Sequence, residues 1–269
     1  MADSTLSYAT AREIAEAVRS RRVSPVEVLE GCLARIDEVD GRVNAVIWRN
    51  DDEARAAARS AEDAVVHTDP ADLPPFHGVP IPIKDLTAVA GWPVTYGSWA
   101  APEGVSGETE MIVDAFRRAG FVLTARTNTP EFGPITAAEN DRYGITRNPW
   151  DLDRIPGGSS GGSAVAVLAG LCPLAIGTDA GGSIRIPASF CGILGFKPSF
   201  GRVAAYPPSA FGDVAHVGPM ARSIEDAALM LDAIKGPDSR DWHSLPDDGI
   251  AYRDALGGGS ASRPLAGRR

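Results

Sequence analysis

Gly157-Gly158-Ser159-Ser160-Gly161-Gly162-Ser163 runs without a break into Ala164-Val165-Ala166-Val167-Leu168, and the reading of that junction decides the fold. Glycine and serine at this density usually form a flexible linker. A linker does not lead straight into an apolar helix, so the glycines read better as the tight entry to a buried helix over residues 163–171. Small residues permit close backbone approach there, and a helix N-terminus suits an anionic group. A short buried strand, residues 174–176, follows. The chain then turns through Gly177-Thr178-Asp179-Ala180-Gly181-Gly182-Ser183-Ile184-Arg185-Ile186-Pro187. Successive amides with small side chains can form a nest of N–H donors of the kind an oxyanion needs. The same residues equally make a plain strand-to-helix turn. The first segment also matches G-x-S-x-G, centred on Ser159 and again on Ser160. The nucleophile elbow behind that pattern needs a buried strand just upstream, and Asn148-Pro149-Trp150-Asp151-Leu152-Asp153-Arg154-Ile155-Pro156 cannot be one.

Outward from this segment the texture is alternating strand and helix. Pro80-Ile81-Pro82-Ile83-Lys84 reads as extended, because each proline forbids a helix and isoleucine favours a strand. Residues 107–119 carry Met111, Ile112, Ala115 and Phe116 on one helical face, and a β-rich run over 121–125 follows Gly120. Residues 224–234 form a last amphipathic helix, opened by Ser223 with Glu225 and Asp226 in its first turn. The first 66 residues read as helical. Thr10 is the N-cap of a helix over 9–21, Ser24-Pro25 with Glu27 starts a second that stops near Gly41, and residues 51–66 are Ala-rich. The alternation argues an α/β fold with a mixed β-sheet core flanked by helices.

Composition narrows the function. The 269 residues include 29 glycines and 21 prolines, yet 44% are hydrophobic and there is no G-X-Y period, which excludes disordered and collagen-like chains. A net charge of −9 without a Lys/Arg cluster argues against a nucleic-acid partner. Cys32, Cys172 and Cys191 include no CxxC pair, so neither a disulfide scaffold nor a zinc ribbon is expected, and no His/Cys/carboxylate group has metal-ligand spacing. Residues 164–176, the longest apolar run, are too few to span a bilayer, which needs ~20, and the N-terminus lacks a signal-peptide core. A cytoplasmic protein without membrane attachment, cofactor or metal is the expectation.

A serine in these turns needs a base. None of His67, His77, His216 and His243 stands in a motif-like setting. Lys84, at the end of the apolar stretch Ile81 to Ile83, is the other route. To act near neutral pH its amine must fall by roughly 3 units from ~10.4, a bias of about 4 kcal/mol. The plainer reading is a surface lysine paired with Asp85.

Taken together, Gly157 to Ser163, Gly177 to Arg185, Phe190-Cys191-Gly192, Gly195-Phe196-Lys197-Pro198, Gly78-Val79-Pro80-Ile81-Pro82-Ile83-Lys84-Asp85, Thr127-Asn128 and Arg147-Asn148-Pro149-Trp150 resemble the amidase signature family of serine hydrolases. The likeness runs from about residue 8 to about residue 235. It implies a Ser–cis-Ser–Lys triad. Ser183 would be the nucleophile, and Ser159, preceded by a cis peptide bond, would bridge it to Lys84, the base. The amides of Ala180, Gly181, Gly182 and Ser183 would form the oxyanion hole. Gly133 and Ser160 would border the substrate, with Phe132 beside Gly133. Asp179 and Arg185 would support the loop.

The resemblance implies a small-molecule amide substrate, a carboxamide or anilide hydrolysed through a serine acyl-enzyme. The alternatives are the glutaminase (A) subunit of a tRNA-dependent amidotransferase, or an inactive amidase fragment. The amidotransferase branch usually has Met-Asp-Glu-Phe-Ala after the Thr-Asn pair, where this chain has Thr129-Pro130-Glu131-Phe132-Gly133. Family members are typically longer. The expected organisation is therefore a helical segment over 1–66, an α/β core over 67–235, and a loop-like stretch over 236–269, with Gly257-Gly258-Gly259-Ser260, linking to a missing half. Oligomeric state, a homodimer included, is left open.

Overall fold

In the computed structural model, which describes residues 6–256, the expected N-caps Thr10 and Ser24 both form, each as a capping box. The Thr10 hydroxyl accepts from Glu13 N and the Glu13 carboxylate from Thr10 N at the start of α1 (Ala11–Arg19). Ser24 and Glu27 do the same for α2 (Pro25–Val43), with Pro25 at its first position. That helix runs past Gly41 and ends at Asn44, whose left-handed backbone turns the chain into β1 (Val46–Arg49). This strand lies inside the stretch read as helical. A strand of four residues, set between α2 and α3 (Asp51–His67), is too short to show a period of its own.

The remaining elements are β2 (Pro80–Lys84), α4 (Met111–Arg118), β3 (Val122–Thr127), a small hairpin of β4 (Glu139–Asn140) and β5 (Gly144–Ile145), α5 (Gly161–Leu168), β6 (Leu174–Asp179), α6 (Arg185–Cys191), β7 (Leu194–Gly195), β8 (His216–Ala221), α7 (Ile224–Ile234) and α8 (Tyr252–Ala255). One sheet has the order β1-β3-β2, with β1 antiparallel and β2 parallel to β3. The other has the order β6-β8-β7 and is antiparallel throughout. The mixed-sheet α/β expectation holds. Strand β8 was not expected, because Gly218 and Pro219 at its centre mask its pattern.

Strand alternation divides the core. Ile81, Ile83, Leu123, Leu174 and Ile176 join Phe76, Phe116 and Trp92 in one cluster, while Val122 and Ala175 join α2 and the apolar helix α5 in another. Helix α5 is so closely seated that a Cβ on Gly162 would stand 2.4 Å from Asn128 N. Two polar side chains, one buried and one half-buried, tie the ends together. Asp226 of α7 accepts from the N–H groups of Ala11 and Arg12 at the start of α1, and Arg222 donates to the carbonyls of Val167, Cys172 and Ala9. The described residues after α7 are irregular apart from α8 and are fastened back on that helix. Lys235 bonds Asp248 at 2.7 Å, and Tyr252 N donates to Asp232. Residues 257–260 and the chain end lie outside the described residues. No helix among the described residues is long and apolar enough to cross a membrane.

Candidate active site

Strand β2 delivers Lys84 to the interior. The run Pro-Ile-Pro-Ile-Lys is buried at every position. The alternation that sends Ile81 and Ile83 to one side of the sheet sends Lys84 to the other, toward the start of α5. Its ammonium meets three hydroxyls, Ser159 Oγ at 2.7 Å, Ser160 Oγ at 2.9 Å and Thr178 Oγ1 at 2.9 Å. Three donors and three acceptors satisfy it fully. Burial disfavours its charge, with Asp179 opposing, and brings the Lys84 pKa down to about 7. The surface-lysine reading fails, since Lys84 is 0% exposed. Asp85 has other partners: it accepts from Thr95 N at 3.0 Å, the Thr95 hydroxyl, and Gly97 N at 3.2 Å.

The glycine-rich entry to α5 sets the serines. The Gly158–Ser159 peptide is cis. Ser159 is 2% exposed, and its hydroxyl is the nearest of the three to Lys84 Nζ. Ser160, expected to border the substrate, is instead wholly buried. Its hydroxyl accepts from Lys84 and from Thr178 N and donates to Thr178 O, which leaves no free hydroxyl to offer a substrate. Ser160 thus helps to hold Lys84. Thr178, the third partner of the amine, was not singled out from the sequence. It lies within the quoted glycine motif, one position before Asp179, so strand alternation was the signal that could have found it.

The second glycine turn places Ser183 half-exposed at the edge of this buried group, its carbonyl accepting from Ser160 N at 3.2 Å. No hydrogen bond joins the hydroxyls of Ser159 and Ser183. Asp179 organises the turn. It accepts from Gly182 N at 2.8 Å and Ile184 N at 3.0 Å, and is gripped by Arg185 through Nη2 at 2.8 Å and Nε at 3.0 Å. Burial pushes the Asp179 carboxyl up, but these donors outweigh it and bring it to about 2. The expected oxyanion set is corrected accordingly. The Gly182 N–H is spent on Asp179, so Ala180, Gly181 and Ser183 remain as donors. Gly182 has φ +118°, a conformation that favours glycine, and a Cβ there would meet Ile186 at 2.7 Å.

Gly133, expected beside the substrate, lies close to Ser159. A Cβ on it would lie 3.6 Å from Ser159 Oγ and 2.7 Å from Leu86. Its neighbour Phe132 is 47% exposed, stacks on Tyr96 at 5.8 Å, and donates its N–H to Tyr96 O at 2.8 Å. Both aromatics have positive φ, 52° for Tyr96 and 53° for Phe132. Nothing in the sequence marks that pairing, because the two residues are far apart and neither sits in a turn motif.

A mixed-sheet α/β fold thus brings a buried lysine among hydroxyls next to a glycine turn that bears a half-exposed serine. The sequence model of the Amidase family matches residues 27–256, and the chain belongs to that family. It is 43% identical over 272 residues to the A subunit of glutamyl-tRNA(Gln) amidotransferase from Cupriavidus necator, covering 98% of this chain and 54% of that protein. It is 40% identical over 252 residues to the corresponding protein of Carboxydothermus hydrogenoformans, covering 93% and 51%. Among solved structures, a bacterial aryl acylamidase of the amidase signature family superposes with a TM-score of 0.86 at 36% identity, covering 94% of this chain and 52% of that one. The chain spans about half the length of the relatives it matches.

Proposed function

We propose that this chain carries the nucleophile, relay and base of an enzyme that hydrolyses amide C–N bonds. The observation that carries the reading is the fully buried Lys84 bonded to Ser159 at 2.7 Å, beside a half-exposed Ser183 in a turn of backbone donors. A neutral Lys84 amine takes the Ser159 proton as Ser159 takes that of Ser183. Ser183 Oγ then bonds to the substrate carbonyl carbon. The carbonyl electron pair moves onto oxygen, where the Ala180, Gly181 and Ser183 amides stabilise it. Collapse breaks the C–N bond, and the proton held by Lys84 returns through Ser159 to the departing nitrogen. Water, activated by the same relay, cleaves the acyl ester and restores the Ser183 hydroxyl.

For the substrate, the glutaminase component of a tRNA-dependent amidotransferase is the reading favoured by the relatives at 40% and 43% identity. It makes the partners other subunits and the acyl donor a primary carboxamide. A stand-alone amidase acting on a small carboxamide or anilide is favoured by one specific observation, Thr129-Pro130-Glu131-Phe132-Gly133 with its exposed Phe132. The free thiols of Cys32, Cys172 and Cys191 suit a reducing, cytoplasmic setting.

The test is intact mass before and after a fluorophosphonate probe, with Ser183→Ala alongside. An adduct on the wild type that is absent from the variant is the expected result. Adduct formation that survives Ser183→Ala would overturn the assignment. Ammonia release from glutamine, measured against amine release from an anilide, then separates the two substrates.

A further inference from the structure

Directly across the sheet from Ile83 stands Arg126, a buried cation that the proposed chemistry does not use. Its position comes from an irregularity in the pairing of β2 with β3. Ile81 pairs with Leu123, but Ile83 pairs with Arg126, so three steps along β3 answer two along β2. The extra residue turns Arg126 to the Trp92 side of the sheet and Thr127 to the Lys84 side. There the guanidinium stands over the Trp92 ring at 5.5 Å, and Thr127 Oγ1 meets Ser163 Oγ of α5 at 2.9 Å.

Arg126 Nη1 donates to two carbonyls of the turn that ends β2, Lys84 O at 3.4 Å and Thr87 O. The rest of its fork is poorly served. Nε and Nη2 have no hydrogen-bond partner, and the carboxylate of Asp85 is an ion-pair distance away at 3.9 Å. A buried guanidinium with two unpaired nitrogens is a weak device for stability, because an apolar side chain of similar volume often does as well or better. What an apolar side chain cannot do is fix the carbonyls of Lys84 and Thr87. Asp85, 3.9 Å from the Arg126 guanidinium, accepts from the N–H groups of Thr95 and Gly97, which ties the turn after the lysine to the following loop.

We propose that Arg126 is a positioning residue for Lys84: it clamps the backbone at the end of β2 so that the amine reaches Ser159, Ser160 and Thr178 together. The proposal rests on the reading of Lys84 as the base. Arg126 touches neither the amine nor the serines. Its effect passes through the Lys84 carbonyl. The charged groups around this strand end are Asp179 from β6, Asp85 next in the chain, Arg126 itself from β3, and Glu110, whose carboxylate accepts from Ala88 N just beyond the turn.

The chain has three lysines, Lys84, Lys197 and Lys235, so side-chain resonances of lysine-labelled protein can be titrated individually, with the last two as internal references. In Arg126→Met the Lys84 midpoint rises by about one unit, because a loosened strand end admits water to the ammonium and the neighbouring cation is gone. Arg126→Lys keeps the charge but cannot span two carbonyls, and it gives roughly half that rise, its own added resonance being the fourth. Arg222→Lys, at a half-buried arginine that also clamps carbonyls, lowers stability and leaves the Lys84 midpoint where it was. A folded Arg126→Lys with an unmoved midpoint overturns the proposal, as does an equal response to Arg222→Lys. Should Arg126→Met not fold, Arg126→Lys decides alone. The pH profile of fluorophosphonate modification at Ser183 shifts in parallel with the midpoint. If the wild type takes no adduct yet the midpoint responds to Arg126, the hydrolase reading fails and the clamp stands. If the adduct forms and the midpoint ignores Arg126, the clamp fails and the hydrolase reading stands.

Discussion

The two halves of the candidate site are built differently. The Lys84 ammonium has three hydroxyl partners, exposure is 2% or less at Lys84, Ser159 and Ser160, and the hydroxyls come from two segments, the entry to α5 and the end of β6. Around Ser183 the chain is half-exposed, ordered mainly by backbone N–H groups donating to Asp179, and a Cβ on Gly181 would meet nothing within 4 Å. The part proposed to handle protons is therefore part of the buried interior, and the part proposed to meet substrate faces outward. A desolvated amine requires the first arrangement, and access for an acyl group requires the second.

The contrast is broken most severely at the nucleophile. Ser183→Ala should cut amide hydrolysis and probe labelling about a thousandfold or more while leaving the urea midpoint nearly unchanged, since a half-exposed hydroxyl is lost. Unchanged labelling would show that the outward serine is not the reacting one. Lys84→Met should cost about a hundredfold to ten-thousandfold in rate, and here stability should hold or improve, because an amine buried at a cost gives way to an apolar chain of similar length.

The same variant sharpens the comparison through pH. The Lys84 pKa is about 7 in the folded chain against 10.5 ordinarily, so between these values the unfolded chain binds the extra proton, and stability rises with pH. Below about 7 the penalty is present in full. Wild type should therefore gain on Lys84→Met in urea titrations as pH rises from 7 toward 10, and parallel curves would mean that the amine is not desolvated. Glu110, pushed up to about 7 by burial, gives a slope of opposite sign only below that range. The base form also predicts labelling that increases with pH and levels off above about 7.

On the outward side, Asp179→Asn removes the charge that orders the turn, and about 2–3 kcal/mol of stability with it. The activity loss should be larger than for any change to the exposed Arg185. The smallest effect belongs far from both halves. Ser24→Ala breaks a capping box on α2, costs about 1 kcal/mol in a thermal or urea melt, and leaves labelling untouched.

The buried half was more legible in the sequence than the exposed one. Pro-Ile-Pro-Ile-Lys reads as extended, and the apolar run before Lys84 raised a buried amine as the alternative to a surface lysine. The two glycine segments announced close packing, and Gly162 against Asn128 shows why no side chain would fit there. Capping residues marked α1, α2 and α7 because the cap is a local contact between near neighbours. What stayed hidden depends on distant pairing. Strand β1 is too short to display alternation, β8 is interrupted by Gly218 and Pro219, and the stacking of Tyr96 on Phe132 joins segments without a shared pattern. The roles of Ser160 and Gly182 were misread for a related reason. A motif names residue types, but whether a hydroxyl or an N–H is already spent is decided by what folds against it.

The extra residue in β3 is slack that the strand can lose without losing its faces. Removing one residue between Leu123 and Arg126 would leave two steps along β3 against two along β2, a regular ladder in which Arg126 still stands opposite Ile83 and Thr127 opposite Lys84. The sides of the sheet are thus held by the pairings at the two ends of the irregularity and not by the number of residues between them. A strand shortened by that one residue should keep its guanidinium beside Trp92 and lose only local twist.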